Sequence, residues 1–221
     1  MIIPSLLTTN ERIAKERIAL AEQMSGWLHL DWLDNSLYPF SSLSLDELSA
    51  TDFGALALEV HAMSDNPLAL LEVDLPLERL IFHVELPQWR TVYDQVTLQG
   101  LEAWLAIAPD TDIETLELPS DISGVMLMGV VPGRGGQALL SDTYDRLNIL
   151  KEYYPDIPVT VDGGVSSETI RQLLACGADN FVVGQALFGQ SDPLAAYQSL
   201  VRLSDPLGGM YDRETTRASG N

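Results

Sequence analysis

The chain lacks several features that would assign it to common protein classes. It has one cysteine, Cys176, which we interpret as a packing residue in an apolar stretch, and one cysteine excludes an internal disulfide. No apolar run approaches the roughly 18 residues of a membrane-spanning helix, and the first residues lack the basic region of a signal peptide. The sequence therefore predicts a cytoplasmic protein with no membrane partner.

Positive charge is also scarce, because 12 lysines and arginines stand against 32 aspartates and glutamates, giving a formal net charge of -20. Nucleic-acid-binding surfaces need clustered cations, and the sequence has none, so we expect no nucleic-acid partner. We interpret the acidity as a solvated surface. It opposes the approach of an anionic ligand, so local dipoles, a metal or an arginine would have to overcome that field.

Short apolar runs alternate with amphipathic stretches along the whole chain. Eight runs are predicted strands, and they span 2–4, 27–30, 55–60, 80–83, 102–106, 124–128, 159–161 and 181–183. Helices are predicted over 10–23, 141–153 and 167–175, the first with a capping box from Thr8 to Glu11. This alternation predicts an α/β fold, a single (β/α)8 TIM barrel. We assign the barrel to 1–204 and expect 205–221 to be a polar, frayed tail.

Two histidines and two aspartates stand near the ends of predicted strands. His29 and Asp31 are two residues apart and so share one face of their strand, while His61 and Asp162 end two other strands. The carboxyl ends of barrel strands meet at one face, so we expect the four side chains to converge. Nitrogen and oxygen ligands of this kind suit Zn²⁺, Fe²⁺, Mn²⁺ or Co²⁺. The sequence predicts one divalent metal ion without selecting among these four.

The third histidine, His83, ends the fourth predicted strand, two residues before Glu85. Because the ligand set is already complete, we assign His83 a supporting role beside the metal rather than a place among its ligands.

Glycine clusters follow the last three predicted strands. Glycine lets backbone amides approach an anion closely, and the late loops of a barrel often form a phosphate site. Any one cluster can be turn punctuation alone, but three in succession favour a phosphate cradle. The residues of this predicted cradle are Gly133, Arg134, Gly135, Gly136, Gly163, Gly164, Gly184 and Gln185.

Taken together, these segments resemble the ribulose-phosphate 3-epimerase family, in order and in spacing, from about residue 2 to 203. The matching strings are Pro4-Ser5, His29-Leu-Asp-Trp-Leu-Asp-Asn35, His61-Ala-Met63, His83-Val-Glu85, Met128-Gly-Val-Val-Pro-Gly-Arg-Gly-Gly-Gln137, Val161-Asp-Gly-Gly164 and Gly184-Gln-Ala-Leu-Phe188. The glycine-rich string before Gln137 and the Asp-Gly-Gly string are the most specific of these.

The resemblance implies a ribulose-phosphate-binding barrel that acts as an isomerase of the pentose phosphate pathway. It would invert C3 of D-ribulose 5-phosphate through an enediolate, giving D-xylulose 5-phosphate. Asp31 and Asp162 would be both metal ligands and the catalytic acid/base pair, with His29 and His61 as the other ligands. The resemblance also implies a homo-oligomer and no cofactor beyond the metal. The expected substrate contacts outside the cradle are Ser5, His61, Met63 and Met128.

Two departures from the family pattern fall in the predicted cradle. Arg134 replaces a phenylalanine and can contact the phosphate, point to solvent or pair with a neighbouring subunit, while Gln185 replaces a serine. Two alternatives therefore stay open. One is a 3-epimerase of another ketose phosphate, such as a hexulose 6-phosphate. The other is a non-catalytic barrel that binds a sugar phosphate, which would have no need for two opposed carboxylates.

Overall fold

The computed structural model describes residues 1–205 and contains eight parallel strands that close into a barrel in sequence order. The (β/α)8 prediction is therefore confirmed. The strands are β1 (Ile2–Leu6), β2 (Trp27–Leu33), β3 (Ala57–Met63), β4 (Leu77–His83), β5 (Glu102–Ile107), β6 (Gly124–Met128), β7 (Val159–Asp162) and β8 (Asn180–Val183). Apart from residue 205, the predicted tail over 205–221 lies outside the described residues.

Helices connect the strands and surround the barrel. They are α1 (Glu11–Ala21), α2 (Leu45–Ser49), α3 (Trp89–Leu98), α4 (Thr143–Tyr153), α5 (Ile170–Ala175), α6 (Gln185–Phe188) and α7 (Pro193–Ser204), with short 3-10 turns at Pro67–Glu72 and Ile113–Thr115. Within residues 1–205, every helix is too short or too polar to cross a membrane.

The start of α1 corrects the predicted capping box. Asn10, not Thr8, caps this helix, because its side chain accepts hydrogen bonds from the backbone amides of Arg12 and Ile13. Thr8 lies two residues before Asn10, and its hydroxyl oxygen accepts a hydrogen bond from the amide of Asn10 at 3.1 Å. The reciprocal pairing of a capping box occurs instead at Ser44 and Glu47, where α2 begins.

Alternation along the strands separates two kinds of core. Residues that point outward, such as Leu28 and Leu30 of β2, pack against the helices in the main hydrophobic core. Residues that point inward fill the barrel, and there an apolar cluster is formed by Ile81, Trp104, Ala106, Met126 and Met128. Because eight strands leave room only for side chains, any site must be built from these inward positions and from the loops above them.

Several strands extend further than predicted. β2 continues to Leu33 and β3 to Met63, so the metal-ligand candidates of these strands lie inside the strands rather than at their ends. In the register of the sheet, Asp31 is paired with His61 and Ser5 with His29. This pairing places polar side chains of three adjacent strands at similar heights in the barrel.

Loops at the carboxyl ends of the strands contact each other closely at glycines. The ring of Phe40, from the loop after β2, lies against Gly133 in the loop after β6, where a Cβ atom would be 2.5 Å from the ring. At Gly164, whose φ is +70°, a Cβ would lie 2.4 Å from the Cα of Leu139. Side chains at these two positions would push the loops apart, so the glycines set the shape of the opening above the barrel.

Candidate functional site

The four predicted ligands converge inside the barrel. One donor atom from each of His29, Asp31, His61 and Asp162 lies within 4.8 Å of every other. Asp31 Oδ1 is 3.3 Å from His29 Nε2 and 3.2 Å from His61 Nδ1, and His61 Nδ1 is 3.8 Å from Asp162 Oδ2. The residues come from β2, β3 and β7, which the closed barrel brings together across its interior.

The hydrogen bonding of His29 shows that this cluster fits a divalent ion. His29 is fully buried, and its Nδ1 lies 2.7 Å from Glu59 Oε1, which accepts the N–H of that nitrogen. Its Nε2 is buried and faces the cluster, where it lies 3.3 Å from Asp31 Oδ1 but forms no hydrogen bond with any described residue. A buried nitrogen without a hydrogen bond is costly unless a ligand uses its lone pair, so the donor set fits a metal.

Glu59 connects buried His29 to Arg79, and Arg79 connects Glu59 to the exposed Glu102. We call these four residues (His29, Glu59, Arg79 and Glu102) the Glu59 chain. The second carboxylate oxygen of Glu59 is 2.5 Å from the guanidinium of Arg79, which also contacts Glu102 at 2.7 Å. The guanidinium lies 4.0 Å from the ring of Trp104. These contacts hold the Glu59 carboxylate in one orientation, and the carboxylate in turn fixes the tautomer and ring plane of His29.

A second set of contacts, which we call the His83 chain (His61, His83 and Glu85), holds His61, the other histidine of the metal-ligand cluster. His83 Nδ1 donates to Glu85 at 3.0 Å, so the Nε2 of neutral His83 accepts from His61 Nε2 at 3.1 Å. That bond leaves the lone pair of His61 Nδ1 directed at the two aspartates. Glu85 is itself held by the backbone amide of Ala108 and the hydroxyl of Thr111. The geometry therefore agrees with the supporting role predicted for His83.

The two aspartates have opposite electrostatic surroundings. Burial disfavours the charge on Asp31, but His29 and then His61 outweigh it and hold the pKa of Asp31 well below its ordinary value. Burial, followed by the negative charge of Asp31, raises the pKa of Asp162 to about 7. In the metal-free protein Asp31 is therefore ionised at neutral pH, while Asp162 can gain or lose a proton there.

The histidines respond to the same field. Burial disfavours the charged form of His29, but Asp31 and Glu59 outweigh it and raise the pKa of His29 well above its ordinary value. Burial lowers the pKa of His61 to about 4, against the opposing effect of the nearby Asp31 carboxylate. The cluster thus attracts positive charge, either a proton on His29 or a bound divalent cation, and the two compete for the same nitrogen.

A cleft of about 850 Å³ opens above the cluster, at the carboxyl ends of the strands. His29 and His61 lie behind its wall, because both are fully buried. The other predicted site residues all line the cleft, and these are Ser5, Asp31, Met63, Met128, Gly133, Arg134, Gly135, Gly136, Asp162, Gly163, Gly164, Gly184 and Gln185. Ser5 also donates a hydrogen bond of 3.0 Å to Asp31 Oδ2.

The two departures in the predicted cradle have distinct positions. The guanidinium of Arg134 lies 5.1 Å from the ring of Phe40, on the exposed rim of the cleft. Gln185 lies between two glycines, because a Cβ at Gly136 would be 3.7 Å from its Cγ and one at Gly189 would be 2.4 Å from its Nε2. The glutamine therefore occupies space beside the loops without reaching the metal-ligand cluster.

Glu59 and Arg79 were missed as functional residues by the sequence analysis. A signal for Glu59 was present, since it precedes His61 by two residues on β3 and must share its inward face. No comparable signal identified Arg79, because its partner depends on the register between β3 and β4. That register shifts between Leu58 and Glu59 and pairs Glu59 with Arg79.

Comparison with known proteins gives a consistent family. The model of the ribulose-phosphate 3 epimerase family matches residues 1–188. A ribulose-phosphate 3-epimerase of Serratia marcescens is 30% identical over 205 residues, which cover 87% of this chain and 97% of that protein. The cytoplasmic isoform of ribulose-phosphate 3-epimerase from Oryza sativa subsp. japonica is 26% identical over 205 residues, covering 87% of this chain and 89% of that protein.

Solved structures show the same fold at lower identity. The structure of 3-hexulose-6-phosphate synthase from Salmonella typhimurium superposes with a TM-score of 0.68 and 12% identity, covering 92% of this chain and 97% of that one. At this identity the likeness concerns the barrel alone.

The Glu59 chain generates a prediction about metal affinity. Glu59→Gln keeps the size of the side chain but removes the charge that orients His29, so zinc affinity should fall by about 10- to 100-fold. Affinity is measured by competition with a chromophoric chelator. Glu102→Gln serves as the control, because it also removes a partner of Arg79 but does not touch His29. Equal zinc affinity in wild type and Glu59→Gln would contradict the orienting role.

The raised pKa of Asp162 generates a prediction for the metal-free protein. A carboxyl group whose pKa rises on folding, here from 3.8 to about 7, stabilises the folded state at low pH and loses that contribution as pH rises through this range. Relative to Asp162→Asn, wild type should therefore lose free energy of unfolding between about pH 4 and pH 7 and level off above. Urea unfolding in chelator at several pH values tests this, and a constant difference between the two proteins would refute it.

Proposed function

The chain belongs to the ribulose-phosphate 3-epimerase family, and we propose that it inverts C3 of D-ribulose 5-phosphate to give D-xylulose 5-phosphate. The observation that carries this proposal is the pair Asp31 and Asp162, two carboxylates that meet at one cluster and both line the cleft. Inversion needs one group to take a proton from carbon and another to return one to the opposite face. A binding module would not need such a pair.

In the proposed mechanism the two aspartates act on opposite faces of C3. Asp31 takes the C3 proton, and Asp162 delivers a proton to the other face. Their roles exchange in the reverse reaction. A divalent ion held by the four ligands would supply positive charge where the enediolate of the substrate becomes negative. The residues fit zinc, iron, manganese or cobalt, and we propose one such ion as the sole cofactor.

Other residues of the cleft position the substrate and exclude water. Ser5 keeps one oxygen of Asp31 engaged by its hydrogen bond, which restricts the orientation of that carboxylate. Met63 and Met128 are nearly fully buried and give the reacting carbons an apolar wall. The glycine loops over 133–136, 163–164 and 184–185 offer backbone amides to the phosphate.

The remaining parts of the proposal concern the setting of the enzyme. We assign catalysis to the barrel over 1–204, in a homo-oligomer located in the cytoplasm and without a nucleic-acid partner. The single cysteine supports a reducing compartment, and the rice relative is named as a cytoplasmic isoform.

A hexulose 6-phosphate is the second candidate substrate. Arg134 and Gln185 both line the cleft at the end where the phosphate would bind, and both differ from the residues typical of the family. Because the phosphate end sets how far the sugar extends toward Asp31, these two residues can change the accepted chain length.

Proton exchange tests the reaction directly. With metal-loaded protein and D-ribulose 5-phosphate in D₂O, deuterium should appear at C3 together with xylulose 5-phosphate, as followed by NMR. Asp162→Asn should reduce turnover by at least about 1,000-fold, since it removes one of two obligatory proton carriers, while its circular dichroism spectrum stays unchanged. Substantial epimerisation by Asp162→Asn would remove this residue from its role. Exchange with hexulose 6-phosphate alone would favour the second candidate.

Arg134 gives a prediction about binding. If its guanidinium contacts the phosphate, Arg134→Phe should raise KM for the phosphorylated substrate by roughly tenfold and leave kcat nearly unchanged, because the contact is equal in ground and transition states. Steady-state kinetics at constant ionic strength measure both constants. An unchanged KM would place Arg134 outside the substrate site.

A further inference from the structure

The charge of the cleft lining is unusual for a site that would take a dianion. Among the described residues that line it, the cations are Arg17 and Arg134, and the carboxylates are Asp31, Asp162 and Glu168. With a formal net charge of -20 on the chain, the surrounding field is also negative. Glycine loops provide only dipoles, so each arginine at the cleft has a large effect on anion binding.

Arg17 reaches the cleft from helix α1. It lies three residues after Ala14 and four before Ala21, so it shares the face of α1 whose other members are buried against the barrel. Helical side chains tilt toward the helix N-terminus, and α1 begins at the carboxyl ends of the strands because it follows β1. The side chain of Arg17 therefore extends toward the cleft, and its Nη1 donates to the carbonyl oxygen of Leu7, just beyond β1, at 3.4 Å.

The guanidinium of Arg17 is held beside the cradle without a carboxylate partner. It lies 5.1 Å from the ring of Phe188, the last residue of α6, and α6 begins with Gln185 of the cradle. Arg17 forms no ion pair with any described residue, although acidic residues greatly outnumber basic ones. Burial lowers the pKa of Arg17, but an arginine stays protonated at neutral pH. A half-buried cation is thus placed at the cleft with no carboxylate paired to it among residues 1–205.

We propose that Arg17 is a phosphate-binding residue of this cleft, placed on the α6 side of the glycine loops and supplying a charge that the loops lack. The inference rests on the proposed function, because it assumes that the anion is the phosphate of a sugar phosphate. Stacking on Phe188 keeps the guanidinium oriented before the substrate arrives, so little side-chain entropy is lost on binding.

Arg12 provides a matched control on the same helix. Its side chain is 76% exposed, pairs with Glu16 at 2.7 Å and does not line the cleft. Arg12→Met and Arg17→Met therefore remove the same charge from the same helix, but only the second removes it from the cleft. Both retain an unbranched apolar stem, and Arg17→Met keeps packing against Phe188.

The experiment measures KM and kcat for D-ribulose 5-phosphate and, separately, the affinity for inorganic phosphate by calorimetry. For Arg17→Met we expect KM and the phosphate dissociation constant to rise together by about 10- to 100-fold, with kcat changed less than about threefold. The dependence of KM on ionic strength should become weaker. Arg17→Lys should recover part of the affinity, and Arg12→Met should match wild type.

The outcomes separate this inference from the proposed function. If Arg17→Met turns over normally and binds phosphate like wild type, the inference is wrong and the epimerase proposal stands. If Arg17→Met and Arg17→Lys lose thermal stability and kcat equally while phosphate affinity is unchanged, Arg17 is structural and the inference is again wrong. If wild type binds phosphate but epimerises no ketose phosphate, the proposed function fails, and the phosphate affinity of Arg17→Met still decides whether Arg17 binds the anion.

Discussion

A carboxylate with no exposed surface, Glu59, contacts His29 on one side and Arg79 on the other, deep inside the barrel. A buried charge of this kind is tolerated only when its partners are fixed, and here Glu102 and the ring of Trp104 hold Arg79 in turn. The consequence reaches the chemistry, because the bond to Glu59 leaves the free nitrogen of His29 directed at the aspartates. The buried charges around Glu59 thus orient the His29 ring in the candidate metal site.

The closed barrel makes this arrangement possible because its interior is narrow and its strands alternate. Inward positions of β2, β3 and β7 lie close enough for four ligands to share one ion, and the two histidines receive separate supports from Glu59 and His83. The same confinement raises the pKa of Asp162, since a second carboxylate lies in the same buried space. Ligand geometry and proton affinity therefore have a common origin in the burial of opposite and like charges.

The loops above the barrel bear on how the proposed anionic substrate would bind to so acidic a protein. The glycines allow close backbone approach, and the loop contacts at Gly133 and Gly164 fix the opening. Dipoles alone act over short distances, whereas the net charge of -20 acts over a Debye length. Two arginines held on aromatic rings, Arg17 on Phe188 and Arg134 on Phe40, place opposing charge at the cleft itself. Under the proposed function, these charges would let the cleft bind phosphate despite the acidic surface of the molecule.

Short apolar runs that alternate with amphipathic stretches were sufficient to predict eight strands, and the period of two placed His29 and Asp31 on one face. The barrel and the convergence of the four candidate ligands therefore followed from the sequence itself. These features depend on local patterns, which the closed barrel then brings together. The helix cap at Asn10 was misassigned, because only the backbone bonds of the first turn show where a helix starts. The pairing of Glu59 with Arg79 depends on a shift in strand register, and the approach of Arg17 to Phe188 depends on how α1 and α6 dock. Contacts of this kind join residues far apart in the chain, so only the tertiary structure decided them.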